Sequence, residues 1–277
     1  MGLDMLTVLP PTSSTYHASD GAAYEMWLGR WASRLAEIFL DFVEFPDAGD
    51  LLDVGCGTGA LTFAMAARWP GRRVVGIDLA PPFISFARSK GSEELPVFEI
   101  GDACALPYAS GQFAGAAAHL VLIFIPRPEL ALRELRRVTR PGGTVAAAQW
   151  DFRGGLVFER MLWDVAVGID PQARVVRDRR FTAPLVLPDG LAQLFRDEGL
   201  MQVERRSLTV RTDFADFEDY WQPLLGGQGP VGTYFANLAP DLKARIKEAA
   251  FDAYCSGAAD GPRSLTASAW AVRGKVP

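Results

Sequence analysis

The sequence predicts an α/β fold: a doubly wound, mostly parallel sheet of seven strands with helices on both faces, plus a helical lid from the N-terminal helix and C-terminal insertions. From residue 50 to residue 151, short β-type runs alternate with helical ones, and that rhythm with short links means parallel strands covered by helices. A glycine loop, "LLDVGCGTGAL" at 51–61, stands where the first of these strands turns into a helix. After Trp150 the rhythm breaks into longer helical stretches and two further strand-like runs.

Between Tyr24 and Phe45 the apolar residues Leu28, Trp31, Leu35, Ile38, Phe39 and Phe42 recur at the three-and-four spacing of one helix face. The core then reads as strand "DLLDVG" (50–55), helix 59–69, strand "RVVGID" (73–78), helix 81–90 and strand "PVFEIGD" (96–102). Strand "FAGAAAHL" (113–120), helix 128–139 and strand "GTVAAAQWD" (143–151) complete it. Pro81, Pro82 and Pro128 open helices, where a missing N–H is tolerated, and "RPGG" (140–143) separates a helix from the strand after it.

Beyond the core, 154–185 is helix and loop, and its arginines Arg174, Arg177, Arg179 and Arg180 read as a solvated face rather than a grip on an anionic substrate. "PDGLAQLFRDEGL" (188–200) reads as a capped amphipathic helix and "MQVERRSLTVRTDF" (201–214) as a long strand. Residues 215–260 are helical around the break "LLGGQGPVG" (224–232), and "RSLTASAWAVRG" (263–274) is a closing strand. One domain, 1–277, is expected, with a lid helix at 20–48, a ligand-binding core at 49–152 and a C-terminal half at 153–277. The insertions 154–185 and 215–260 are expected to cover the site together with the lid helix.

Composition narrows the function. With 49% hydrophobic and 22% charged residues and no internal repeat, the chain is an ordinary globule. A net charge of −5 argues against nucleic acid as the main partner, because phosphate binding leaves a basic footprint. Cys56, Cys104 and Cys255 have neither metal spacing nor the density of a disulfide framework, which fits a reducing cytoplasm. The start "MGLDMLTVLPPTSS" has no basic leader before an apolar core, and "LVLIFI" (120–125) is far below the roughly 20 residues of a spanning helix. A cytoplasmic location, no membrane partner and no metal are expected.

Gly55, Gly57 and Gly59 follow G-x-G-x-G, not the G-x-G-x-x-G of dinucleotide enzymes, and no lysine follows as in a phosphate loop. Glycine at such positions admits φ > 0 or lets a ligand lie against the main chain. Asp53, two residues before Gly55, favours a cationic group over a phosphate. Asp78 closes the second strand, where an acid accepts both hydroxyls of an unphosphorylated ribose. The ligand reads as a positively charged nucleoside without phosphates.

Asp53-Val-Gly-Cys-Gly-Thr-Gly59, Gly76-Ile-Asp78-Leu79, Gly101-Asp-Ala-Cys-Ala-Leu-Pro107 and Arg137-Val-Thr-Arg-Pro-Gly-Gly143 occur in this order. Together they resemble the Rossmann-like class I S-adenosylmethionine-dependent methyltransferases, in particular the bacterial small-molecule branch similar to ubiquinone/menaquinone-biosynthesis enzymes. The resemblance is strong over residues 20–152. It implies S-adenosyl-L-methionine as cofactor, with the glycine loop, including Cys56, against its methionine part and Asp78 on the ribose. It further implies Leu79 on the adenine, Asp102 accepting from the adenine amino group with Ala103 beside it, and His119 and Leu120 near the sulfonium. The sequence departs from the family at Phe113-Ala114, where Phe-Asp is usual, and at Phe124, where a histidine is often seen.

Several residues carry two readings. His119 is either a satisfied core histidine or a cofactor contact and general base beside the methyl group, where imidazole titrates near neutral pH. Arg30 and Arg34 are either solvated or one of them pairs with the cofactor carboxylate, with Tyr16, Tyr24 and Trp27 in the same lid. Trp150, Trp163, Phe181, Tyr220, Trp221, Tyr234 and Phe235 gather outside the cofactor core, mostly as packing, with a subset free to line an acceptor pocket. The expected function is methyl transfer to a small organic molecule of apolar or aromatic character, by in-line displacement driven by positioning and desolvation. The alternative is a catalytically inactive cofactor-binding sensor or partner subunit; the acceptor atom and the oligomeric state stay open.

Overall fold

The computed structural model describes residue 16 and residues 20–91, 96–227 and 229–277. The strands are β1 (Leu51–Val54), β2 (Val74–Asp78), β3 (Val97–Ile100), β4 (Phe113–His119), β5 (Thr139–Trp150), β6 (Met201–Phe214) and β7 (Arg263–Lys275). They form one sheet in the order β3-β2-β1-β4-β5-β7-β6. From β3 to β5 neighbouring strands pair in parallel, whereas β7 runs antiparallel between β5 and β6.

The central strands can be covered on both faces because their side chains are small. All of β4 is buried, and Ala117, Ala146 and Ala148 pack on one side with Leu35 and Phe39 of the leading helix. Val145 and Ala147, on the alternate face of β5, pack with Leu132 and Leu135 of the helix Pro128–Val138 and Phe195 of the helix Gly190–Asp197. The expected cap of that last helix does not form. Asp189 makes no side-chain capping bond and instead pairs with Arg196 at 3.1 Å and Arg205 at 3.4 Å.

The leading helix has three parts: an α-helix Gly21–Tyr24, a π-helical turn Glu25–Gly29 and an α-helix Arg30–Val43. Asp20 caps it, its Oδ1 accepting from the Ala22 N–H at 2.8 Å. The C-terminal helices Val157–Ile169, Pro171–Phe181, Phe217–Trp221, Gly229–Ala236 and Pro240–Cys255 share a core with it. Their aromatic rings pack on one another: Trp163 on Tyr234 at 5.4 Å, Trp221 on Phe235 at 5.3 Å and Tyr220 on Tyr254 at 5.5 Å between centroids.

Arg180 departs from the solvated face expected for its cluster. It is buried, its Nε donates to Glu159 Oε1 at 2.9 Å, a terminal nitrogen lies 2.8 Å from the same oxygen as an ion pair, and its guanidinium lies 4.0 Å from the Phe152 ring centre. Among the described residues no helix is long and apolar enough to cross a membrane.

The strand order reverses direction between β1 and β4. Chain connections leave on opposite sides there, so a crevice opens beyond the C-terminal ends of these strands.

Candidate functional site

A cavity of about 430 Å³ fills that crevice, and residues at the C-terminal ends of four neighbouring strands line it: Asp53 and Gly55 at β1, Asp78 at β2, Gly101 at β3 and His119 at β4. The glycines differ in what they permit. Gly57 has φ +54°, and a Cβ on it would meet only Phe83, at 3.7 Å, so its missing side chain opens into the cavity. Gly59 has φ +92°, does not line the cavity, and serves packing instead, since a Cβ there would come within 2.7 Å of Phe63.

Asp78 ties the loop to the second strand. One carboxylate oxygen accepts from the Gly57 N–H at 2.9 Å and the other from the Ala80 N–H at 2.8 Å. Burial raises its pKa, and these backbone donors pull in the opposite direction. Asp53 is fully buried; Oδ2 accepts from Thr62 Oγ1 at 2.6 Å, while Oδ1 has no hydrogen-bond partner. Burial pushes its carboxyl up to about 7, with the Thr62 bond opposing and the charge of Asp78 adding to the rise.

His119 is buried at the end of β4, its ring 5.5 Å from Phe39 and its Nε2 without a partner. Burial pushes its pKa down to about 3. The imidazole is therefore neutral at physiological pH, and the expectation that it titrates near neutrality is corrected by its desolvation. Leu120 has φ +66°, a conformation costing a bulky residue roughly 1–2 kcal/mol and found where function fixes the backbone. Leu79 is 42% exposed although large and apolar, and it lies on the cavity wall. Cys56 lines the cavity too, but burial raises its thiol well above its usual range, which makes it a poor nucleophile.

Four residues expected at the site do not reach the wall. Arg30 pairs with Asp219 at 2.7 Å and also donates to that residue's carbonyl at 3.1 Å. Arg34 pairs with Asp213 at 2.7 Å and donates to the Arg211 carbonyl at 2.8 Å, so both guanidinium groups are held by the C-terminal half. Asp102 is turned back onto its own loop, accepting from the Cys104 N–H at 2.7 Å, while its neighbours Gly101 and Ala103 line the cavity. Gly59 is the fourth.

Of the lid, Tyr16, Tyr24 and Ala32 line the cavity, and none of the described residues of 154–185 or 215–260 does. Trp27 is buried in the core instead, as are Trp150, Trp163, Phe181, Tyr220, Trp221, Tyr234 and Phe235, so the aromatic residues of the C-terminal half give no pocket wall. Tyr16 packs on Phe124 at 4.9 Å and Tyr24 on Phe83 at 5.3 Å between ring centroids. Burial raises the pKa of both phenols, which stay protonated.

Sequence reasoning missed Thr58, Phe83, Val121 and Ile125 on the wall. Thr58 stands inside the glycine motif and Phe83 follows the Pro81-Pro82 helix start, which are readable signals. Val121 and Ile125 sit in the irregular chain after β4, where no periodicity marks them.

The wall carries two carboxylates and, among its described residues, no lysine or arginine. It therefore suits a cationic ligand with a flat apolar part. S-adenosylmethionine fits on three counts: the opening at Gly57, the unpartnered Asp53 oxygen and the exposed Leu79 face.

Residues 52–147 match the family described as a methyltransferase domain. The chain is 32% identical over 173 residues to the demethylmenaquinone methyltransferase of Roseiflexus castenholzii, covering 58% of this chain and 71% of that one. It is 32% identical over 150 residues to the methyltransferase GfsG of Streptomyces halstedii, covering 50% and 54%. In fold it is similar to phosphoethanolamine N-methyltransferase 2 of Haemonchus contortus solved with S-adenosyl-L-methionine, at a TM-score of 0.56, 14% identity, and coverage of 93% and 57%.

Proposed function

The chain belongs to the class I S-adenosylmethionine-dependent methyltransferases, and on that premise we propose that it methylates a small organic molecule by positioning and desolvation. When bound, the cofactor supplies an electrophilic methyl group and leaves as a neutral thioether. The observation that carries the reading is the convergence of Asp53, Gly57, Asp78, Leu79 and His119 on one cavity at the reversal point of the sheet.

Asp78, already oriented by two backbone N–H groups, is proposed to accept from the ribose hydroxyls, and Leu79 and Ala103 to flank the adenine. Asp53 faces the cationic part and the backbone of Gly55, Cys56 and Gly57 the methionine part. His119 and Leu120 stand on the acceptor side, with His119 acting as a neutral hydrogen-bonding group and not as a base near pH 7. The rings of Tyr16, Tyr24, Phe83 and Phe124 give an acceptor of apolar or aromatic character a matching wall and exclude water. The demethylmenaquinone methyltransferase relative is consistent with an acceptor of that kind.

The test is calorimetric titration with S-adenosylmethionine and with NAD, followed by the Asp78→Ala variant. Two ribose hydroxyls left without their acceptor should weaken S-adenosylmethionine binding by about 1–3 kcal/mol. An analogue lacking both hydroxyls should lose less affinity in the variant than S-adenosylmethionine does, its remaining loss coming from the freed Gly57 and Ala80 N–H groups. Equal losses for the analogue would place the ribose elsewhere.

A further inference from the structure

The leading helix is fastened to the glycine loop through one side chain. Glu25 begins the π-helical turn, and its Oε1 accepts from Thr58 Oγ1 at 2.5 Å. Thr58 is 1% exposed and lines the cavity between Gly57 and Gly59. Lys90 Nζ lies 3.5 Å from the other Glu25 oxygen, but this pair is open to solvent and long, the kind that contributes little.

Gly29 leaves room for this fastening. Its φ is −59°, an ordinary helical value, so backbone freedom does not account for the glycine. A Cβ there would lie 2.7 Å from Glu25 Oε1 and 2.8 Å from its carboxyl carbon. The missing side chain thus makes room for the carboxylate folded back toward Thr58. The turn that holds both residues closes with the Arg30 N–H donating to the Glu25 carbonyl, the wide π-type step that recurs at functional sites.

We propose that Glu25 is a positioning residue: through Thr58 it holds the 55–59 loop against the cofactor and the leading helix over it, and so sets how slowly cofactor and product leave. This rests on the S-adenosylmethionine reading of the cavity. Glu25 itself does not line the cavity and touches none of the reacting atoms.

The experiment measures the dissociation rate of S-adenosylhomocysteine by stopped flow after calorimetry has established binding to wild type. Glu25→Ala and Thr58→Val should each speed release about tenfold, and the double variant no more than either. Glu25→Gln, which keeps an accepting oxygen but no charge, should stay within about twofold of wild type. Gly29→Ala should speed release like Glu25→Ala, because the new methyl group displaces the carboxylate. In the Glu25→Ala background, however, the same change should have no further effect while raising the melting temperature, as alanine favours the helix. Additive effects, an unchanged rate in Glu25→Ala or Gly29→Ala, or a Glu25→Gln variant as fast as Glu25→Ala would overturn the assignment. A wild type that binds neither S-adenosylmethionine nor S-adenosylhomocysteine would overturn the reading of the cavity itself.

Discussion

Asp53 in β1 and Glu159 in the helix Val157–Ile169 are both carboxylates with almost no exposure, at 0% and 1%, yet their surroundings differ in kind. Glu159 Oε1 receives two hydrogen bonds from its own half of the molecule, one from Arg180 Nε at 2.9 Å and one from Trp163 at 3.0 Å, and is ion-paired with the Arg180 guanidinium at 2.8 Å. Asp53 receives one, from a threonine hydroxyl, and pairs with no cation among the described residues. Each leaves its second oxygen without a partner, but only Asp53 faces the cavity. The C-terminal half therefore neutralises its buried charge internally, as a structural core must, whereas the cofactor half carries negative charge toward a ligand.

The largest effect is expected where that internal pair is broken. Arg180→Met leaves Glu159 buried and unpaired and should cost about 3–5 kcal/mol of stability in urea unfolding. Affinity of the folded protein for S-adenosylmethionine should not change, and Glu159→Leu added to Arg180→Met should recover most of the loss. A single variant that weakens cofactor binding while unfolding normally would show that the two halves are not divided in this way.

Gly57→Val probes the opposite half. It should lower S-adenosylmethionine affinity by about 100-fold or more, since a branched side chain would stand where the backbone meets the ligand. The cost in stability should be no more than about 1–2 kcal/mol, from the left-handed φ alone. Calorimetry beside thermal melts separates the two, and unchanged affinity in a folded variant would remove the glycine loop from the site.

The smallest effect is a pH profile. Between about pH 4 and about 7 folded Asp53 keeps a proton that the unfolded chain has lost, so raising the pH through that window favours unfolding. His119 acts in the reverse sense: between about pH 3 and 6.5 the unfolded chain holds the extra proton, and raising the pH favours folding. Asp53→Asn should therefore gain on wild type from pH 4 to pH 7, by no more than about 1.4 kcal/mol per pH unit, and hold that gain above pH 7. Wild-type affinity for S-adenosylmethionine should fall on acidification through pH 7, and Asp53→Asn should lose that fall. A stability difference that is flat with pH would mean that Asp53 is ionised throughout.

The order of strands and helices, the glycine loop and the place of Asp78 were determined by the sequence alone. Alternation, helix-opening prolines and turn glycines are set by near neighbours in the chain, and those signals survive without the fold. Asp102 shows a local limit, because an aspartate two residues before an N–H readily closes its own turn, as it does with Cys104. The remaining departures are long-range. Only the tertiary structure decided that β7 returns between β5 and β6, that Arg180 reaches Glu159 across 21 residues, Glu25 reaches Thr58 across 33 and Arg30 reaches Asp219 across 189. An arginine or glutamate reads as solvated until its partner is known, and which opposite charge lies within reach is settled by packing of the helices against the sheet, not by any residue beside it in the chain.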